Sequence, residues 1–201
     1  MKTAVILAAG LGSRIKEIIN ETPKGFIKIG QETLIHRSIR ILKSFGISNI
    51  IIATGYKSEF YDELSSMHNI VCVKNEKYFC TGSFYSLKNL SKYISDDFLL
   101  LESDLIYEND AIKHLLDSKI SNVLLGSAIS GSGDEVFIEC NDSHLINLSK
   151  NRAKLDKTSC EFVGISKISL EYFSVLCCWY DNNKLIADKL HYEEAIAMAN
   201  I

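Results

Sequence analysis

The chain has 201 residues, 47% of them hydrophobic, with a formal net charge of −3 and six cysteines. That length and apolar content suit one compact, soluble domain, and the slight acidity gives no chain-wide attraction to nucleic acid or anionic lipid, so any phosphate binding must come from local groups. No nucleic-acid partner is expected, and neither is a disulfide scaffold: Cys72, Cys80, Cys140, Cys160, Cys177 and Cys178 show no CxxC spacing and read as reduced, mostly buried thiols.

In chain order, the first apolar run, Ala4 to Ala8, is too short to span a membrane and has no signal-peptide cleavage region behind it. It reads as a buried strand, with no membrane insertion and a cytoplasmic location. Further runs at Ile50 to Ala53, Ile70 to Val73, Phe98 to Leu101 and Val123 to Leu125 are apolar at consecutive positions. That is the pattern of strands covered on both faces, hence of a largely parallel sheet. Between the first two, Leu34, Ile35, Ile39, Ile41, Leu42 and Phe45 fall on one broad stripe at the helical period, predicting a helix over Thr33 to Phe45 packed on the sheet. From about Ser127 the texture changes. Gly131 to Glu135, Val136 to Cys140, Leu145 to Leu148 and Phe162 to Ile165 read as shorter antiparallel pieces, a flap or small subdomain. Helices are expected at Leu170 to Tyr180 and His191 to Ala199.

Directly behind the first strand stands Gly10-Leu11-Gly12-Ser13-Arg14. Glycine removes the side chain that would hold backbone N–H groups away from phosphate oxygens. Two common phosphate loops fail on residues: Ile15 replaces the third glycine of the dinucleotide fingerprint, which disfavours a Rossmann oxidoreductase, and no Gly-Lys-Ser/Thr run exists. Leu7-Ala8-Ala9-Gly10-Leu11-Gly12-Ser13-Arg14 followed by Thr22-Pro23-Lys24-Gly25 resembles instead the signature of the nucleotidyltransferase superfamily that makes NDP-sugars and CDP-alcohols. The resemblance implies a Rossmann-like three-layer α/β sandwich with a mostly parallel mixed central sheet, the nucleotide-diphospho-sugar transferase fold, and a small antiparallel acceptor-side subdomain. It implies one nucleotidyltransferase domain over residues 1–201, nucleotide-binding to about 126 and acceptor-side from about 127, lacking the C-terminal end of the family fold. It leaves a homodimer open.

On that reading Lys24 and Arg14 are the catalytic cations, able to stabilise charge growing on the transferred phosphoryl group and the departing pyrophosphate. Leu7, Ala8, Ala9, Gly10, Gly12 and Ser13 are expected to bind the nucleotide, with Gly55, Tyr56, Thr81, Gly82 and Ser83 where family members hold the base. The choice of CTP comes from the resemblance alone. Asp104 closes an apolar strand at its carboxyl end, where ligands bind in open α/β sheets. It is the expected Mg2+ ligand, an ion that takes one or two carboxylates beside substrate phosphates and water. The family's second acidic ligand is implied on a strand beyond the last helix, while Glu193 and Glu194 suit the exposed start of a helix, where negative charge matches the dipole.

For the acceptor, Ser132-Gly133-Asp134-Glu135, Asn147 to Lys150 and Glu161 to Ser166 look most like 2-aminoethylphosphonate cytidylyltransferases, with phosphocholine cytidylyltransferases as near relatives sharing the N-terminal half. A primary ammonium donates three hydrogen bonds to carboxylates, whereas a quaternary one favours an aromatic cage. Ser132, Gly133, Asp134, Glu135, Lys150 and Glu161 are therefore the expected acceptor-binding set. Phe84, Tyr85, Trp179, Tyr180 and Tyr192 are the competing aromatic walls, with Trp179 read as core. The implied reaction is attack of an acceptor phosphonate oxygen on the α-phosphorus of CTP. That oxygen is largely deprotonated near neutral pH, so no general base is needed, and His36, His68, His114, His144 and His191 read as surface or packing residues. The alternatives are a phosphocholine cytidylyltransferase, a sugar-phosphate nucleotidyltransferase and a non-catalytic nucleotide-binding module.

Overall fold

A computed structural model describes residues 1–12, 22–67 and 69–199. β1 (Thr3–Ala8) is followed by a two-residue hairpin, β2 (Lys28–Ile29) and β3 (Glu32–Thr33), then by α1 (Leu34–Ser44) and β4 (Asn49–Thr54). Next come α2 (Asp62–Ser65), β5 (Ile70–Lys74), α3 (Ser83–Asn89), β6 (Phe98–Glu102), α4 (Asn109–Asp117) and β7 (Val123–Ser127). The remainder is β8 (Phe137–Asn141), β9 (His144–Ser149), β10 (Cys160–Ile168), α5 (Leu170–Asn182), α6 (Lys184–Ala187) and α7 (Tyr192–Ala199).

The strands order as β5-β4-β1-β6-β10-β8-β9, with β7 also paired to β10. β5, β4, β1 and β6 run parallel, and β10 runs antiparallel to β6, β7 and β8. The sandwich and mixed sheet are those the family resemblance implies. The antiparallel pieces after Ser127 are present and join the main sheet through β10. β7, read from its apolar run as one of the parallel set, pairs antiparallel instead; an apolar run reports burial and carries no strand direction.

Because successive side chains of a strand point to opposite faces, the consecutive apolar runs feed two cores. Ala4 and Ile6 of β1, with Ile50, Ile52, Leu99 and Leu101, pack against α1, α2 and α4 through Ile35, Leu42, Leu64 and Ile112. Val5 and Leu7, with Ile51, Ala53 and Leu100, pack on the other face against α3, α5 and α7 through Phe84, Leu87, Phe173, Leu176 and Ile196. The predicted helix at Thr33 forms because Thr33 Oγ1 accepts the backbone N–H of His36, an N-cap that satisfies one of the first-turn donors. Ser169 does the same for α5, accepting from Tyr172 N at 3.1 Å.

No disulfide forms among the cysteines, but the expectation that they are mostly buried fails: four are half-buried and Cys80 and Cys178 are exposed. Among the described residues no helix is long and apolar enough to cross a membrane. What positions the site is the shared direction of β5, β4, β1 and β6, whose carboxyl ends open on one edge of the sheet.

Candidate active site

At that edge lies a cleft of about 450 Å³. Its floor is the end of β1 and the glycine loop, tied to neighbouring strand ends by Ser103 N donating to Leu7 O at 3.1 Å and Tyr56 N donating to Ala9 O at 3.3 Å. Gly12 carries φ +61°, and a Cβ there would lie 3.3 Å from Lys24 Cγ. The residue must therefore be one that adopts the left-handed region and leaves room for the lysine stem. The glycine loop and Lys24 are in this way one packed unit, not two separate motifs. Lys24 reaches across to the turn behind β6, where its Nζ donates to Asp104 Oδ2 at 2.8 Å.

The loop after β5 forms the opposite wall. Asn75, buried at its base, donates Nδ2 to Thr81 Oγ1 at 3.0 Å and to Ser86 Oγ at 2.9 Å, while its Oδ1 accepts Lys77 N at 2.8 Å. One side chain thus fixes the loop that places Tyr78, Phe79 and Thr81 on the cleft. Phe79 is 67% exposed, an uncovered ring at the cleft mouth.

The third wall is acidic. Glu102, at the end of β6, accepts the Tyr192 hydroxyl at 3.1 Å. Burial raises its pKa from the ordinary 4.5 to about 7, and the charges of Asp104 and Glu193 push in the same direction. Burial likewise raises the pKa of Glu193, only 5% exposed, and raises that of Tyr192 further above the usual phenol range. Lys150 approaches this wall from the end of β9, its Nζ 3.7 Å from Asp134 Oδ1 and 4.0 Å from Glu193 Oε1. The cleft therefore holds four carboxyls, those of Glu102, Asp104, Asp134 and Glu193, beside two lysines, an arrangement able to take a polyanion at the lysines and a cation at the carboxylates.

Of the residues expected from sequence, Leu7, Ala8, Ala9, Gly10, Gly12, Lys24, Thr81, Gly82, Ser83, Asp104, Asp134 and Lys150 all line this cleft. Ser13, Arg14 and His68 lie outside the described residues. Gly55 and Tyr56 do not line it. A Cβ on Gly55 would fall 2.7 Å from both Ala9 O and Tyr78 Cβ, so this glycine allows the β5–α3 loop to close on the glycine loop. Ser132, Gly133, Glu135 and Glu161 also stay off the lining. Glu135 Oε2 accepts Gly133 N at 3.0 Å, Glu161 Oε2 accepts Ser130 N at 2.7 Å, and Ser132 Oγ accepts Asp134 N at 3.4 Å, so these polar side chains brace the loop backbone that carries Asp134. Hydrogen bonds from backbone N–H groups, its own first, hold the Glu135 carboxyl below its ordinary pKa.

Phe84 is fully buried against Trp179 and Tyr180, and Trp179, read as core, is half-buried and packs against that core. Glu193 is the main correction, since the exposed helix start expected there is a buried wall of the cleft. Only Glu194 behaves as a helix-start acid, accepting His191 N at 2.8 Å. His191, read as surface or packing, lines the cleft beside them. The signal for both is that Tyr192, Ala195 and Ile196 set the buried face of α7, which carries the N-terminal turn inward with them.

A family model for the MobA-like NTP transferase domain matches residues 4–144. The chain belongs to that family. Within it, the chain is 35% identical over 106 residues to a choline-phosphate cytidylyltransferase of Streptococcus pneumoniae, a match covering 53% of this chain and 46% of that protein. It is 22% identical over 209 residues to a CTP:phosphoglutamine cytidylyltransferase of Campylobacter jejuni, covering 94% and 83%. The match to the first of these thus spans about half of that relative's length. Among solved structures, the inositol-1-phosphate CTP transferase from T. maritima superposes with a TM-score of 0.81 at 18% identity, covering all of this chain and 81% of that one. That likeness concerns the fold.

Proposed function

We propose that the protein is a cytidylyltransferase that joins CMP from CTP to 2-aminoethylphosphonate. The general activity is supported by the family and by relatives named for CTP-dependent transfer to phosphate-bearing acceptors. The acceptor class is supported by one observation: the ammonium of Lys150 lies near the carboxylates of Asp134 and Glu193 in the cleft that also holds the glycine loop and Lys24. A primary ammonium is thus already accommodated there, and the acceptor's own amine has the same charge and donor set.

In the reaction an acceptor phosphonate oxygen attacks the α-phosphorus of CTP. A phosphorus–oxygen bond forms, the bond to the bridging oxygen breaks, and that electron pair leaves on pyrophosphate. Lys24, whose stem passes over Gly12, neutralises the phosphate charge, and Lys150 turns from its carboxylates to the incoming phosphonate. No side chain has to remove a proton from an acceptor that is already an anion.

A divalent cation fits this acidic wall, because Asp104 and Glu193 are hard oxygen donors that line the same cleft, and their charges both raise the pKa of Glu102. Among the described residues no three His, Cys, Asp or Glu side chains form a metal-holding group, so substrate phosphates and water would complete the shell. When bound, Mg2+ would withdraw charge from those phosphates.

A second reading, transfer to phosphocholine, is favoured by the Streptococcus pneumoniae relative and by Tyr78 and Phe79 at the cleft mouth. Pyrophosphate release with Mg2+ separates the readings, with CTP, UTP, ATP and GTP each offered 2-aminoethylphosphonate, phosphocholine and sugar phosphates. Fastest release with CTP and 2-aminoethylphosphonate is expected. Faster release with phosphocholine selects the second reading, and nucleotide binding without release from any pair means a non-catalytic module.

A further inference from the structure

Ser83 sits in a stretch expected from sequence to hold the base, yet its hydroxyl is committed elsewhere. Ser83 Oγ accepts the backbone N–H of Tyr192 at 3.0 Å and lies 3.3 Å from His191 Nδ1. Tyr192 is the first residue of α7, so the bond satisfies one of the N–H groups that a helix leaves without an internal partner. A serine usually does this from the N-cap position of its own helix. Here the residue preceding α7 is His191, a poor cap, and the serine comes from the start of α3, 109 residues earlier.

The rest of the contact is built for the same purpose. Gly82 N donates to Asp188 O at 2.8 Å, Phe84 N donates to Leu190 O at 3.2 Å, and Lys189 Nζ donates to Cys80 O at 2.7 Å. A Cβ on Gly82 would fall 1.9 Å from Leu190 O. The glycine thus admits the 188–190 backbone at a distance no other residue permits. Glu194 completes the turn from within, accepting His191 N at 2.8 Å. The residue held between these two bonds is Glu193, the second residue of α7 and the buried carboxylate of the cleft.

We infer that Ser83 is a positioning residue: it caps α7 in trans and thereby holds Glu193 in the wall of the cleft that Asp104 also lines, and it does not contact the nucleotide. The inference rests on the proposed function only for the role given to Glu193. The cap itself can be read without turnover.

The test compares Ser83→Ala and Ser83→Thr with the unaltered protein in three measurements. Hydrogen exchange at the Tyr192 amide is expected to quicken by about fivefold in S83A, the scale of losing one helix cap, and to return in S83T, which keeps the acceptor oxygen. The Mg2+ concentration giving half-maximal pyrophosphate release is expected to rise by a similar factor in S83A. The dissociation constant of CTP measured in EDTA, where no metal contributes, is expected to stay unchanged. Unaltered exchange at Tyr192 in S83A overturns the inference. So does a weaker metal-free CTP affinity accompanied by unaltered Mg2+ dependence, which would make Ser83 a nucleotide contact. If the unaltered protein releases no pyrophosphate with any substrate pair, the proposed function fails, while the exchange and CTP measurements still decide the role of Ser83.

Discussion

Replacing Glu102 by glutamine should make the metal-free protein more stable, and more so as pH rises. Glu102 ends β6 in the acidic wall, and burial with the charges of Asp104 and Glu193 moves its pKa from 4.5 to about 7. A folded-state pKa above the unfolded one means that the native protein binds the extra proton. Stability from this group is then fully present below pH 4.5, falls as pH rises between 4.5 and 7, and stays lost above it. At 1.36 kcal/mol per pH unit the loss is about 3 kcal/mol. Glutamine has the shape of the protonated acid and keeps the oxygen that accepts the Tyr192 hydroxyl, but it never ionises. Thermal unfolding in EDTA at pH 5 and pH 8 reads the difference. E102Q should match the unaltered protein at pH 5 and melt roughly 6–10 °C higher at pH 8. Equal melting points at pH 8, or an equal gap at both pH values, would refute the view that a buried, charge-crowded carboxyl stands at this position.

Two further substitutions test the floor of the cleft. Lys24→Ala should lower turnover by about 100-fold or more, the scale of losing one preorganised charge donor. The partly exposed pair with Asp104 should cost stability no more than about 1 kcal/mol; wild-type pyrophosphate release, or loss of folding by circular dichroism, would contradict this. Gly55→Ala forces a Cβ to within 2.7 Å of Ala9 O and Tyr78 Cβ, so urea unfolding should show a loss of about 1–3 kcal/mol, typical of overpacking. CTP titration of the same variant should show weaker binding as the β5–α3 loop is pushed off the glycine loop.

The parallel strands were legible because burial on both faces leaves an unbroken apolar run, as in Ala4 to Ala8, and α1 because its stripe follows the helical period. The nucleotide floor was legible for a different reason: Gly12, Pro23 and Lys24 are local in sequence and their chemistry is carried by residue type. The acceptor side was harder to read. Glu135 and Glu161 look like ligands in sequence, yet their carboxylates are taken by backbone N–H groups of the loop before β8, Gly133 for Glu135 and Ser130 for Glu161 on β10, a use that composition does not reveal. Glu193 was misread because its burial depends on contacts with α3 and β9, remote in sequence, and helix-start acids are ordinarily exposed. Gly55 and Gly82 show the same limit, since the groups that forbid a side chain at each lie on other segments.

The proposed reaction forms a bond between the phosphorus of CMP and a phosphonate oxygen. Phosphorus-31 NMR of the protein with Mg2+, CTP and 2-aminoethylphosphonate tests it most directly. A new phosphate–phosphonate anhydride signal growing in step with pyrophosphate is expected. CTP that stays intact, or that yields CMP and pyrophosphate with no anhydride, would contradict it.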